Sequence, residues 1–141
     1  MEGLTIGGIG AIDNAVTETT TDATPRTIAA FDANGLSNRV TPDHATNDLT
    51  ITEAGTYDIQ GHVSFEGTLS KTFKVQVYVN EIASGVPLER KLGTGGDVGS
   101  ASFCSIAVCA IGDKITARHW STDGGVAFTA KQISLVATRV F

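Results

Sequence analysis

The sequence predicts an all-β sandwich or barrel of short antiparallel strands, and three observations carry this. Apolar residues recur with period two along several segments. Turn signals separate those segments at short intervals. No window of 12 residues shows a convincing 3.6-residue apolar period. Composition agrees: 19 Thr, which is β-branched and favours strands, and 16 Gly, which serves turns and bulges.

Along the chain, the first segment stands apart. Residues 3–12 read Gly-Leu-Thr-Ile-Gly-Gly-Ile-Gly-Ala-Ile, and four threonines fall within Thr17 to Thr21. Leu4, Ile6, Ile9 and Ile12, spaced by glycines, would be poorly buried in a monomer. The segment is either a loose terminus or an arm that orders on a neighbouring subunit or a larger surface. We divide the chain on the second reading: residues 1–22 an N-terminal arm, 23–141 the folded domain. The segments 27–31 and 49–52 are strand candidates, with a turn at Asn34-Gly35 between them.

The next strand is the clearest. Tyr57, Ile59, Gly61, Val63 and Phe65 form one face, and Asp58, Gln60, His62, Ser64 and Glu66 the other. Phe73, Val75, Val77 and Val79 repeat the pattern against Lys74, Gln76, Tyr78 and Asn80. Ile115, Ala117 and His119 alternate with Thr116, Arg118 and Trp120, and Ile133, Leu135, Ala137 and Arg139 alternate with Ser134, Val136, Thr138 and Val140. The strand 102–111 breaks the rule. Phe103, Ala107, Cys109 and Ile111 lie on one face, yet Cys104, Ile106, Val108 and Ala110 make the other face apolar too. A strand solvated on one side should alternate, so either another part of the chain or a partner subunit covers it.

Size and charge narrow the function. At about 150 residues per domain, 141 residues make one domain. The net charge is −5, and the ten Lys and Arg are scattered, which argues against a nucleic-acid face built of clustered cations. Cys104 and Cys109, five apart on one strand, point to opposite faces and are read as two small buried thiols, suited to a reducing cytoplasm. The start has neither a basic n-region nor an apolar h-region, and no apolar run approaches the ~20 residues that span a bilayer, so neither secretion nor membrane insertion is expected.

Candidate chemistry is sparse. His44, His62 and His119 have no metal-ligand spacing, and a meeting of His62 with His119 across two strands is the weak remaining route to zinc. There is no Gly-x-Ser-x-Gly elbow. The loop 93–100 is glycine-dense but lacks the Lys-Ser/Thr pair of a phosphate loop. The Asp-rich stretches at 32–35 and 43–48 have no calcium-loop register. Trp120 is either a core anchor or a contact residue at a rim. No enzyme activity and no cofactor are expected.

The order of segments from residue 49 to residue 140 resembles the tumour necrosis factor/complement globular-head superfamily. The resemblance rests on Gly55-Thr56-Tyr57 opening an alternating strand that closes at Phe65-Glu66-Gly67, then on the Val-rich run ending at Asn80. A Gly/Ser-rich approach, an apolar strand, the Gly112-Asp113 turn and a last strand from Gln132 follow in the same order. The resemblance implies an antiparallel jelly-roll sandwich of about ten strands that assembles as a homotrimer. It implies a trimer interface at Asp58, Gln60, His62 and Ser64, with Arg118 and Trp120. With no collagen-like stalk and no anchor expected, it points to a bacteriophage accessory protein: a capsid decoration (cement) protein, assembled in the host cytoplasm and displayed on the virion surface. Its partners would be the major capsid protein or another virion protein, reached through an arm carrying Leu4, Ile6, Ile9 and Ile12. The alternative is a trimeric receptor- or glycan-binding tip of a phage fibre. Fold analogy of this kind does not fix function.

Overall fold

Two antiparallel sheets stack face to face, and every strand with clear period-two alternation turns its apolar side into the space between them. The computed structural model describes residues 3–20, 23–123 and 125–141; the side chains of residues 11–15, 19 and 20 lie outside that description. In chain order the strands are β1 (Ile6–Thr20), β2 (Arg26–Thr27), β3 (Ala33–Asn38), β4 (Val40–Asp43), β5 (Asp48–Ile51) and β6 (Gly55–Gly67). They continue with β7 (Thr72–Val79), β8 (Ile82–Lys91), β9 (Gly99–Cys109), β10 (Lys114–Ser121) and β11 (Val126–Arg139). The first sheet has the order β3-β1-β11-β6-β9. The second has β4-β5-β10-β7-β8, with β2 also on β10. No helix occurs among the described residues.

The all-β expectation holds, and so does the alternation behind it. Tyr57, Ile59, Val63 and Phe65 of β6 are buried, as are Phe73, Val75 and Val77 of β7 and Ile115, Ala117 and His119 of β10. Three phenylalanines join the sheets: Phe65 and Phe73 meet edge-on at 5.4 Å, and Phe65 lies 4.9 Å from Phe128. Gly61 has no side chain for a steric reason. A Cβ there would stand 2.3 Å from the Phe103 ring, which fills the space beneath β6. At the β7–β8 hairpin, Asn80 (φ 49) and Glu81 (φ 67) both adopt the left-handed conformation, the pattern of a tight two-residue turn matched to strand twist.

The division at residue 22 is corrected. The segment expected to be an arm is β1, paired with β11 from Ile6 to Thr20 and with β3 on its other edge. Ile9 is 3% exposed and belongs to the core, and Ile6 is half-buried; Leu4 remains exposed. Ile12 pairs through its backbone with Gln132, and its side chain lies outside the described residues. A register shift between Ile12 and Val16 interrupts the strand, and its glycines show no alternation, which is why it reads as a tail. The segment 27–31 is also shorter than expected as a strand: only Arg26–Thr27 form one, after which the Ile28 N–H still donates to the Ala117 carbonyl at 2.9 Å and Ile28, Ala30 and Phe31 are buried.

Candidate functional site

The outer face of the first sheet holds four of the residues that the family resemblance singled out, Asp58, Gln60, His62 and Ser64. Period two puts alternate residues of β6 on that face, and the registers of β1, β11 and β9 extend each into a row. Ile6, Thr138, Asp58 and Ile106 form one row. Gly8, Val136, Gln60 and Cys104 form the next, followed by Gly10, Ser134, His62 and Ser102. Ser64 lies between Gln132 and Ser100 in the last. The centre is polar and self-satisfied: Gln60 Nε2 donates to Asp58 Oδ2 at 3.0 Å, and the Ser64 and Ser100 hydroxyls meet at 2.9 Å. Small side chains leave the centre low, forming a concavity of about 610 Å³ bounded by Asp58, Gln60, His62, Cys104, Ser134 and Val136.

The two rims differ. At the β9 edge, Ile106 is 72% and Val108 82% exposed. No described residue of the same chain covers the second apolar side of this strand. Ile111 and Phe141 are exposed at the same end of the sheet. At the opposite edge, a shallow hollow of about 330 Å³ is lined by Gly8, Gly10, Gly35, Leu36 and Val136. The glycines are needed for this shape. A Cβ on Gly35 would stand 3.0 Å from the Gly8 carbonyl oxygen, and one on Gly8 would stand 3.1 Å from Val136.

Arg118 and Trp120 are not on this face. They lie on β10 in the second sheet and point away from the core, so the six residues grouped from sequence do not form one surface. Arg118 packs over Tyr78 at 4.7 Å and lies 3.6 Å from Glu81. Trp120 is half-buried on the same outer side, which rules out the core-anchor reading. His62 and His119 do not meet either. His62 faces outward from the first sheet, whereas His119 is fully buried between the sheets. There its ring stacks on Phe128 at 4.2 Å and its Nε2 lies 3.1 Å from Glu18 Oε2, a link between β10 and β1. No group of three or more His, Cys, Asp or Glu side chains that could hold a metal occurs among the described residues.

The two cysteines are free, on opposite faces as their spacing predicts, but only Cys109 is buried; Cys104 is exposed on the first sheet. Burial, with a smaller contribution from Asp113, raises the Cys109 thiol above its ordinary pKa, so it stays protonated and unreactive. Burial likewise raises the Tyr57 phenol, whose hydroxyl donates to the Glu53 carbonyl at 2.6 Å. The Glu53 carboxyl is held below its ordinary value, chiefly by the Thr5 hydroxyl at 3.1 Å and then by Arg39 at 3.2 Å. With Arg139 Nη1 at 3.3 Å, Glu53 ties the start of β1, the β3–β4 corner and the end of β11 together.

The fold itself is that of the tumour necrosis factor/C1q jelly roll. No protein-family model matches the chain, and no curated protein sequence does. Solved structures match over nearly the whole length. The Eiger TNF of S. frugiperda superposes with a TM-score of 0.70 at 11% identity, covering 96% of this chain and 92% of that one. Murine APRIL gives 0.66 at 13% identity over 98% of this chain and 100% of that one. The globular domain of zebrafish complement 1qA gives 0.65 at 12% identity, over 99% and 98%. At these identities the likeness is one of fold.

Proposed function

We propose that this chain is a non-enzymatic structural protein that forms a homotrimer through the outer face of its first sheet and decorates a bacteriophage capsid. The observation that carries the trimer is the uncovered apolar side of β9. Ile106 and Val108 form a ridge at one edge of the sheet, and the glycine-lined hollow lies near the other. A ridge on one edge that fits a hollow near the opposite edge makes a head-to-tail contact, and such contacts close into a ring when the rotation allows. Burying the two side chains would contribute roughly 1.5–3 kcal/mol each, per interface. Asp58, Gln60, His62 and Ser64 would then face the neighbouring copies and need polar partners there.

Decoration is supported by the character of the rest of the molecule. Its charge is mildly acidic and dispersed, and a three-fold object presents three identical footprints to a lattice, so weak contacts add into firm attachment. The partner is the major capsid protein or another virion protein, met at the virion surface after synthesis in the host cytoplasm. Of the side chains first assigned to that contact, Ile9 serves the core, and among those described Leu4 is largely exposed. The alternative, a receptor- or glycan-binding fibre tip, draws support from a polar hollow on the second sheet.

Sedimentation at micromolar concentration is expected to give three times the chain mass of 14.6 kDa; a species of 14.6 kDa rejects the trimer. Capsid shells assembled from the major capsid protein of the phage it serves are expected to carry it through a density gradient. Shells that shed an intact trimer reject decoration and leave the trimer standing.

A further inference from the structure

At one end of the sandwich three connections cross between the sheets. β3 passes to β4 through Arg39, β5 to β6 through residues 52–54, and β9 to β10 through residues 110–113. The start of β1, the β7–β8 turn at Asn80-Glu81 and the last residues, Val140 and Phe141, lie at the same end. Hydrogen bonds knit these pieces together. The Gly112 N–H donates to the Ile51 carbonyl at 2.7 Å, and the Asn80 N–H to the Lys114 carbonyl at 2.9 Å. The Arg139 N–H donates to the Thr5 carbonyl at 2.9 Å, and the Val140 N–H to the Thr56 carbonyl at 2.8 Å. Asp113 closes its own turn by accepting from the Ala110 N–H at 2.8 Å. The cations at this end are engaged as well: Arg39 and Arg139 by Glu53, and Lys114 by Asp48.

With its polar groups so used, this end presents apolar side chains. Among the described residues eleven large apolar side chains are exposed, and six belong here: Leu4, Ile82, Val108, Ile111, Val140 and Phe141. Four of the six, Ile82, Val108, Ile111 and Phe141, are between 71% and 82% exposed. The opposite end, with the turns at 68–71 and 92–98, carries two, Leu69 at 40% and Val98 at 47%. The other three, Leu36, Val86 and Ile106, lie along strands. Single exposed apolar side chains are ordinary on a protein surface, whereas a group of them gathered at one place marks an interaction surface.

We infer that this end seats the trimer on the particle, against an uncharged aliphatic patch of a virion protein; the inference rests on the decoration reading above. The ridge and the hollow assigned to the trimer contact lie at opposite edges of one sheet, so the ring runs across the strands and its axis runs along them. The three apolar ends then share one face of the ring and bind together. Charge decides what they meet. Each chain carries a net charge of −5, so a second trimer brought end to end would set like charge against like. A lipid surface is held by clustered Lys and Arg and by interfacial Trp. Here the cations are already engaged, and the one tryptophan, Trp120, lies toward the far end of β10. A protein patch free of charge needs neither device, because the cores of protein interfaces are depleted of charged residues.

The test is co-sedimentation of the full chain with capsid shells of the phage it serves. The parent is compared with Ile111→Ser plus Phe141→Ser at this end and with Leu69→Ser plus Val98→Ser at the other. The parent and the far-end pair are expected to decorate alike. The Ile111→Ser, Phe141→Ser pair is expected to bind roughly tenfold or more weakly while keeping the parent's trimer mass and thermal melt. Each single variant stands in if the pair does not fold. Flotation with phosphatidylcholine vesicles, with and without phosphatidylserine, is run in parallel. The inference is overturned if the folded, trimeric pair decorates as the parent does, if the far-end pair loses as much, if the parent floats with vesicles, or if parent trimers couple in pairs through this end. In the first of these cases the parent still decorates and the proposed function stands. A parent that leaves the shells bare removes both.

Discussion

The two outer faces of the sandwich come from the same period-two pattern, yet they leave opposite things unfinished. On the first sheet the polar groups satisfy one another, through Gln60 with Asp58 and Ser64 with Ser100, and the unfinished surface is apolar, at Ile106 and Val108. On the second sheet the incompletely paired groups are polar: Asp48, Thr116 and Arg118 each hold a buried atom without a hydrogen-bond partner, and Asp48 pairs only with Lys114 at 3.6 Å. Apolar surface is indifferent to direction and is satisfied by any well-fitting apolar surface, including another copy. An unpartnered carboxylate oxygen or guanidinium N–H demands a partner of the right kind in the right direction.

The comparison is best broken by removing what holds the first face together. Deleting residues 1–12 takes away the half of β1 that pairs with β3, along with Ile9 from the core. We expect the truncated chain to lose cooperative thermal unfolding by circular dichroism. A truncated protein that melts normally would return these residues to the status of a separate arm. Ile106→Glu is the next largest effect. It places a charge on the ridge, and we expect sedimentation to fall to the monomer while thermal unfolding stays cooperative. A trimer that tolerates this substitution would move the interface elsewhere.

A smaller effect is expected beneath the first face. Gly61→Ala puts a Cβ 2.3 Å from the Phe103 ring and 2.6 Å from the Ser134 carbonyl oxygen. Overpacking of this kind costs roughly 1–3 kcal/mol, so denaturant melts should show that loss with the trimer mass unchanged at low denaturant. Unchanged stability would mean that Phe103 has room to move aside.

The smallest effect concerns Glu53, which is held below its ordinary value of 4.5 chiefly by the Thr5 hydroxyl and then by Arg39. A carboxylate with a depressed folded-state pKa stabilises fully above its unfolded value and loses that contribution as pH falls through the folded value. Glu53→Gln should therefore melt slightly below the parent at neutral pH. The gap should close as pH drops from 4.5 through the lowered folded value. A gap that widens on acidification would contradict the assignment.

How much of this was legible in the sequence depends on the kind of signal each region carries. In β6, β7, β10 and β11 large apolar residues alternate with polar ones, so strand, inward face and outward residues could all be read directly. The uncovered ridge could also be read, because Ile106 and Val108 break the alternation. In β1 glycine occupies several of the positions where alternation would show, and the register shift after Ile12 moves the rest out of phase. A strand central to the fold therefore looked like a tail.

By itself the sequence determined the all-β class, the inward faces of the long strands and the free state of the two cysteines, because each follows from the two-residue repeat of one strand. It could not say which sheet a strand joins. Arg118 and Trp120 were read on the correct side of β10, yet they face the opposite way from Asp58 and His62 because β10 lies in the other sheet. The polar hollow was equally invisible. Its residues come from segments around 46–48, 80–81 and 114–118, and an atom without a hydrogen-bond partner does not exist until packing has buried it. Period is a property of one strand, whereas sheet membership and burial belong to the arrangement of all of them, and only the tertiary structure decides those.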